Sequence, residues 1–354
     1  MSEHEPNIWC LLGRKAGDNT QVRSLAEALG VSFTEKHIAA RGWELLPHLL
    51  LRTTLLGIDR GASSELAAPW PDLVISAGRR NEPVARWIRR QSGGSTRLVH
   101  IGRPWAAPDC WDLVITTPQY FLPAQPNILH NQLPLHRQEP ERLKAAAQDW
   151  QQRFAALPRP LVAVLVGGDS GKFVMTDDKG RRLGELAAGL AGRCGGSLVS
   201  AASPRTPQSA FDAMVAAADG PGLHFPWGGD NPYQALLACA DAFVVTGESM
   251  SMLGEASATG KALYIFDLAD ADGRWWRRSY NYRYKPLSHR LAMTLAPMRF
   301  RRDVGRIQDA LVHAGQAAWL TGDSEFTARA AVATDSGAEL VRSAAAVRQL
   351  LPPR

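Results

Sequence analysis

Short unbroken apolar runs alternate with longer stretches of mixed polarity through most of the chain. Asn7–Leu12, Asp72–Gly78, Thr96–Gly102 and Trp111–Thr117 are compact, rich in Val, Ile and Leu, and bounded by Gly or Pro. Such runs predict strands buried on both faces of a parallel sheet. Between them the spacing predicts helices over Gln21–Leu29, ending at Gly30, and over Glu82–Gln91, with Asn81 as the cap and Pro83 in the first turn. A polar helical stretch, Pro140–Leu157, closes on "LPRP", a natural boundary. A second series follows: strand Pro160–Gly168, a helix near Arg181–Cys194, strand "GSLVSAA", helix Gln208–Ala217, strand "GLHFPW", helix Pro232–Ala240 and strand "AFVVT". The stretch Val244–Phe266 then reads as strand, tight polar turn, helix, turn and strand.

Alternation of this kind implies α/β architecture with doubly wound parallel sheets. Two such series predict two Rossmann-like domains facing a cleft, residues 1–157 and 158–300, with a helical tail over 301–354 packing back across them. Composition changes this picture little. The 354 residues are 45% hydrophobic and 21% charged, which is globular and long enough for two cores. No apolar run reaches the length of a membrane span, and the acidic start "MSEHEPNIWCLLG" does not read as a signal peptide. Cys10, Cys110, Cys194 and Cys239 show no CxxC pairing, so buried free thiols and a cytoplasmic location are the expectation. Charge changes the picture more. The chain carries +6, yet Arg274–Arg306 alone carries +9, so the basicity describes one surface.

Ligands of open parallel sheets sit where strands run into helices, and four such loops carry unusual residues. "GRKAGDNTQ" has Gly13 and Gly17 four apart, the basic pair Arg14 and Lys15, and Asp18 with Asn19, which serve either as caps or as ligand groups. "VGGDSGKF" resembles a phosphate loop but is no Walker A, because three residues separate Gly167 and Gly171 and Phe173 stands where Ser/Thr is needed. Its Gly167, Gly168, Ser170 and Lys172 are phosphate-contact candidates, against a plain turn. In "SAASPRTP", Arg205 is framed by two prolines that orient it at a strand end. The fourth loop carries Gly247, Glu248 and Ser249, with Glu255 two turns on. A hydrolase nucleophile at Ser249, followed by Asp267 and His289, fits poorly: the motif is not G-x-S-x-G and the spacing leaves little room for the triad strands. Ser249 as a helix cap with Glu255 solvated is the other plain reading. The packed small-residue helix end "ASATGK" favours Glu255 as a ligand acceptor.

"RWWRRSYNYRYKPLSHR" interleaves aromatics with cations. Trp275 and Trp276 with Arg277, Arg278, Arg283 and Lys285 suit an anionic lipid surface or a lipid-linked acceptor. They equally suit a substrate phosphate or an internal contact. No nucleic-acid module surrounds them, so a nucleic-acid partner is not expected.

The unit strand–"TGESMSMLGEASATGK"–strand resembles the nucleotide-sugar half of GT-B glycosyltransferases, such as the N-acetylglucosaminyltransferase that completes lipid II and, more distantly, lipid A disaccharide synthase. Over its length the chain resembles bacterial members of the Elm-type mitochondrial-fission family, through "GRKAGDNTQVRSLAEALG", "VGGDSGKF", "SPRTP" and "NPYQALLACADAFVVTGESMSMLGEASATGK". The GT-B resemblance implies a diphosphate at Thr246–Met250, including Gly247, Glu248, Ser249 and Met250, and a ribose at Glu255. It implies transfer from a nucleotide-diphosphate sugar, expected to be UDP-linked, to a lipid-linked or cell-envelope glycan. No cofactor or metal is expected, since no DxD triplet lies in a suitable loop. Asp18 stands where the lipid II enzyme has a histidine and is the candidate base, with Gly13, Arg14, Lys15, Gly17 and Asn19 on the acceptor side. The family resemblance leaves two alternatives open: a non-catalytic scaffold, since the plant member is an adaptor for a fission dynamin, or an epimerase of GT-B type. A short-chain epimerase is not expected, because its glycine motif and Tyr-x-x-x-Lys pair are missing.

Overall fold

The computed structural model describes residues 5–42, 53–137, 139–170, 173–269, 295, 301–327 and 336–352. The chain forms two compact units. One comprises Met1–Arg137, Met298–Phe300 and Ser336–Arg354; the other comprises Gln138–Pro297 and Arg301–Asp335.

The first unit holds β1 (Ile8–Leu12), α1 (Ala16–Leu29), β2 (Thr34–His37), β3 (Leu73–Ala77), α2 (Gly78–Gln91), β4 (Arg97–Ile101), β5 (Leu113–Thr116) and β6 (Ile128–His130). Its six strands are all parallel, in the order β2-β1-β3-β4-β5-β6. Every residue of β1 and β3 is buried, because helices cover both faces of the sheet. On one face Leu25 and Leu29 of α1 join Cys10, Leu73 and Val99 in the core. On the other, Val84 and Ile88 of α2 pack with Trp9, Leu11 and Val74.

The second unit begins with α3 (Pro140–Ala155), the helix before "LPRP". The chain therefore passes between units ahead of this helix, which packs on the helix Tyr233–Cys239 of the second unit, with Trp150 edge-on to Phe225 at 5.2 Å. Its sheet is built from β7 (Leu161–Val166), α4 (Asp177–Arg193), β8 (Ser197–Ala202), α5 (Gln208–Ala217), β9 (Gly222–Phe225), α6 (Tyr233–Cys239), β10 (Ala242–Thr246), α7 (Met250–Ser257), β11 (Ala262–Phe266), α8 (Gly305–His313) and β12 (Ala318–Trp319). The strands are again parallel, in the order β12-β11-β10-β7-β8-β9. Helices α4 and α5 lie backbone to backbone: a Cβ on Gly180 would strike Ala210 O, and one on Gly184 would strike Met214 O. The last helix, α9 (Ser336–Arg348), belongs to the first unit, where Leu340, Ala344 and Val347 complete the core beside α1.

In each sheet the strand order reverses once, between β1 and β3 and between β7 and β10. A crevice opens at the carboxyl ends of strands at such a reversal, where neighbouring loops part to opposite faces.

Two of the expected local structures differ. Helix α2 starts at Gly78, whose φ of 72° lets the chain turn directly from the strand, so Asn81 is a buried helical residue and not its cap. Helix α1 starts at Ala16, so Gly17, Asp18 and Asn19 belong to its first turn and the glycine loop is shorter than its sequence implies.

Candidate functional site

At the β7/β10 reversal three loops meet, and their backbones cannot be separated from one another. Gly167 N donates to Thr246 Oγ1 at 2.8 Å, and Gly168 N donates to Glu248 Oε1 at 2.7 Å. A Cβ on Gly167 would fall inside the Glu248 carboxyl, and Gly168, at φ 129°, lies against the backbone of Arg205 and Thr206. From the β8 loop, Ser203 Oγ donates to Gly167 O, while Thr206 Oγ1 bonds the carbonyls of Val166 at 2.9 Å and Gly167 at 2.7 Å. Asp169 N returns a bond to Arg205 O at 3.2 Å, and Arg205 Nη1 reaches Asp169 O at 3.2 Å.

Glu248 sits at the centre of this knot with its side chain wholly buried. Arg205 Nη2 lies 3.4 Å from Oε1, while Oε2 has no hydrogen-bond partner among the described residues. Burial holds the carboxyl above the ordinary carboxylate range, opposed by Arg205 and by backbone amides. The Gly168 amide, which a phosphate oxygen would seek in a glycine turn, is therefore already taken by a side chain of this protein.

A pocket of about 170 Å³ opens at the ends of β8 and β9, between Ala202 and Pro232. Trp227 lines it and is 53% exposed, followed by Gly228 and Gly229, and Asp230 and Asn231 add polar edges. Asn231 Oδ1 accepts from Tyr233 N at 3.0 Å, at the start of α6. The Tyr233 hydroxyl donates to Glu255 Oε2 at 2.7 Å. Burial, and then the adjacent Glu255 carboxylate, push the Tyr233 phenol well above its usual range, so it stays a donor to that carboxylate.

In the first unit, Asn19 folds back over the β1 turn: its Oδ1 accepts from Gly13 N at 2.9 Å and its Nδ2 donates to Gly13 O at 2.8 Å. Asn81 Nδ2 donates to Leu11 O at 3.0 Å and its amide lies against Gly13. Asp18 is one-third exposed, 3.9 Å from Lys15 Nζ, and its Oδ2 rests where a Cβ on Gly78 would be.

The mitochondrial fission ELM1 family model matches residues 16–342 of the chain, spanning both units. The chain belongs to this family. It is 29% identical over 241 residues to the mitochondrial fission protein ELM1 of Arabidopsis thaliana, a match covering 61% of this chain and only 56% of the plant protein. It is 24% identical over 297 residues to the uncharacterized protein RP120 of Rickettsia prowazekii, covering 73% and 83% of the two chains. Among solved structures it is similar to MurG of Acinetobacter baumannii, with a TM-score of 0.48 and 14% identity over 98% of this chain and 92% of that one. It is also similar to UDP-GlcNAc 2-epimerase of Neisseria meningitidis bound to UDP-GlcNAc, with a TM-score of 0.43 and 12% identity over 87% and 90%.

For this ELM1-family chain, sequence reasoning brought Gly167, Gly168, Arg205, Thr246 and Glu248 to one place, and the structure groups them. It assigned several roles differently. Ser249 occupies the N-cap position of α7, but its side chain makes no capping bond. Met250 is the first helical residue and is buried. Gly247 meets no loop glycine; its carbonyl accepts from Gln308 Nε2 of α8 at 2.6 Å. Ser170 pairs with Phe173 through two backbone bonds of 3.0 Å. Lys172 and the aromatic–basic set Trp275, Trp276, Arg277, Arg278, Arg283 and Lys285 lie outside the described residues. Gln308, Ser203, Thr206, Trp227 and Tyr233 were not legible as site residues, although "SPRTP" flagged the loop of Ser203 and Thr206. Among the described residues, no cluster of His, Cys, Asp or Glu is arranged to hold a metal, and no helix is long and apolar enough to cross a membrane.

Proposed function

We propose that the second unit binds a nucleotide-diphosphate sugar and that the protein is a GT-B-type glycosyltransferase. The observation that carries this reading is the pocket lined by Trp227 at the ends of β8 and β9, with Arg205 in the loop after β8 and the bonded Tyr233–Glu255 pair next along the chain from its Pro232 edge. A flat aromatic ring, a carboxylate and a guanidinium suit a base, a ribose and a phosphate. Trp227 would stack the base, Glu255 would accept from ribose hydroxyls, and Arg205, with the N-terminus of α7, would meet the diphosphate. Lys172 is assigned to the same diphosphate, so that leaving-group charge is met by side chains and helix amides without a metal. The donor is proposed to be UDP-linked and the acceptor a lipid-linked or cell-envelope glycan, reached by a cytoplasmic protein peripheral to an anionic membrane. Asp18 of the first unit is assigned as the base toward the acceptor hydroxyl.

Calorimetric titration with UDP and UDP-sugars tests the reading. Binding in the wild type, reduced about tenfold or more by Arg205→Ala, Trp227→Ala or Glu255→Gln, supports it. No nucleotide binding in any series overturns it. Asp18→Asn is expected to keep UDP affinity and lose transfer; retained turnover removes Asp18 from its role. Turnover that survives a chelator supports the metal-free assignment.

A non-catalytic scaffold is the second reading, and Glu248 favours it: its carboxyl already occupies the Gly168 amide that a phosphate would use. In that case nucleotides leave the melting temperature unmoved.

A further inference from the structure

Two residues that line the Trp227 pocket, Phe225 and Asp230, are held by helix α3. Arg153 Nη1 donates to Asp230 Oδ2 at 2.7 Å. The same guanidinium lies over the Trp150 ring at 4.3 Å and over the Phe225 ring at 5.1 Å. Trp150 and Phe225 meet edge-on, with 84° between their planes. Trp150 and Arg153 are about one helical turn apart, so both fall on one face of α3.

The pocket loop has little else to fix it. Among the described residues, Trp227, Gly228, Gly229, Asp230 and Asn231 make no backbone–backbone hydrogen bond. Gly228 holds a left-handed φ of 101°, and a Cβ on Gly228 or Gly229 would meet nothing, so packing does not confine their backbone. The polar anchors of the loop are Asn231 Oδ1, which accepts from Tyr233 N, and the Asp230–Arg153 pair just before it. An exposed ion pair contributes little by itself, because two long side chains must be ordered to make it. Here the arginine is already ordered by its contact with two rings, so the pair costs less to form. A loop set in place before its ligand arrives spares the ligand the cost of ordering it.

We propose that Arg153 is a positioning residue for the pocket: through Asp230 it holds the Trp227 loop, and through its stacking it holds Phe225, in the arrangement that receives the ligand. The proposal rests on the reading of this pocket as the seat of the nucleotide base. All of its residues belong to the second unit. Arg153 is not itself a lining residue, so its substitution acts on the ligand through Asp230 and Phe225.

Calorimetric titration of the full chain with UDP, beside fluorine NMR spectra of protein labelled with fluorotryptophan, tests the assignment. Arg153→Ala is expected to weaken UDP binding about three- to tenfold while leaving the melting temperature close to that of the wild type. Arg153→Lys keeps the charge and loses the planar stack, so its affinity is expected to fall between the two. Arg153→Ala combined with Asp230→Ala is expected to weaken binding no more than the stronger single variant, because the two side chains act as one unit. A merely structural role for α3 gives additive losses instead. The Trp150 resonance, identified by its disappearance in Trp150→Phe, is expected to shift in Asp230→Ala with no nucleotide present. Unchanged UDP affinity in Arg153→Ala, additive losses in the double variant, or a Trp150 resonance indifferent to Asp230→Ala overturns the proposal and leaves the nucleotide reading standing. Absence of UDP binding in the wild type removes both, so the two failures are told apart by the wild-type titration.

Discussion

Gln308 and Gly247 are sixty-one residues apart in the chain and joined at 2.6 Å, the Nε2 of the first donating to the carbonyl of the second. The amide also stands where a Cβ on Gly247 would be. Helix α8 thereby fixes the turn between β10 and α7, the same turn that delivers Glu248.

Gln308→Ala leaves the Gly247 carbonyl without that donor in a buried setting. The expected cost is about 1–3 kcal/mol in urea unfolding. Gln308→Glu, which puts an acceptor against an acceptor, is expected to cost more. Equal stability of wild type and both variants would refute the contact.

Strands were the most legible part of this protein. A parallel strand covered on both faces is an unbroken apolar run, and β1, β3, β7 and β10 are such runs. Strand β2, "TEKH", escaped because it lies at a sheet edge with polar, partly exposed residues, and β12 because two residues carry no pattern. The site was legible only loop by loop. Glycine, proline and charge mark a loop, but partners such as Gln308, Asn81 and Tyr233 come from other elements and leave no local signal. That Glu248 points inward onto Gly168 was likewise invisible, since an acidic residue in a polar turn ordinarily faces water.

Glu248 gives the second test. Its folded-state pKa lies above the unfolded value, so the folded protein holds its proton to higher pH than the unfolded chain does. Its contribution is therefore full below the unfolded pKa and falls as pH rises through the folded one. Glu248→Gln is expected to flatten this fall, so that melting temperatures of variant and wild type diverge in the variant's favour from acid to alkaline pH. Parallel curves would exclude a buried carboxyl.

His100 behaves oppositely. It is fully buried beside Trp111, with ring centroids 4.5 Å apart, and Nδ1 lies 3.3 Å from Ser76 Oγ. Burial depresses its pKa to about 3. Stability is complete above pH 6.5 and falls as pH drops towards 3, because the unfolded imidazole takes a proton that the folded one refuses, at about 1.4 kcal/mol per pH unit. His100→Asn is expected to be less stable at pH 7 but to lose less between pH 6.5 and 4, as read by urea unfolding.

Helix α4 offers a contrast within one element. Gly184 lies against the backbone of α5, whereas a Cβ on Gly192 meets nothing. Gly184→Ala is expected to destabilise by about 1–3 kcal/mol, and Gly192→Ala to stabilise by up to about 1 kcal/mol. Thermal unfolding of the two variants, with shifts of opposite sign, checks the packing.

The return of α9 to the first unit bears on the order of events during synthesis. Glu339 accepts from Leu133 N at 3.3 Å, Arg348 Nε donates to Leu29 O at 3.4 Å, and Val347 is wholly enclosed. The ribosome thus releases all six strands of the first sheet early, but the segment that seals α1 emerges only after the second unit has been made. The second unit, inserted between the strands of the first and α9, is free to fold while the first waits with apolar surface on α1 uncovered. For that interval the apolar face of α1 that α9 later covers is open to contact with other chains, the condition under which folding intermediates aggregate.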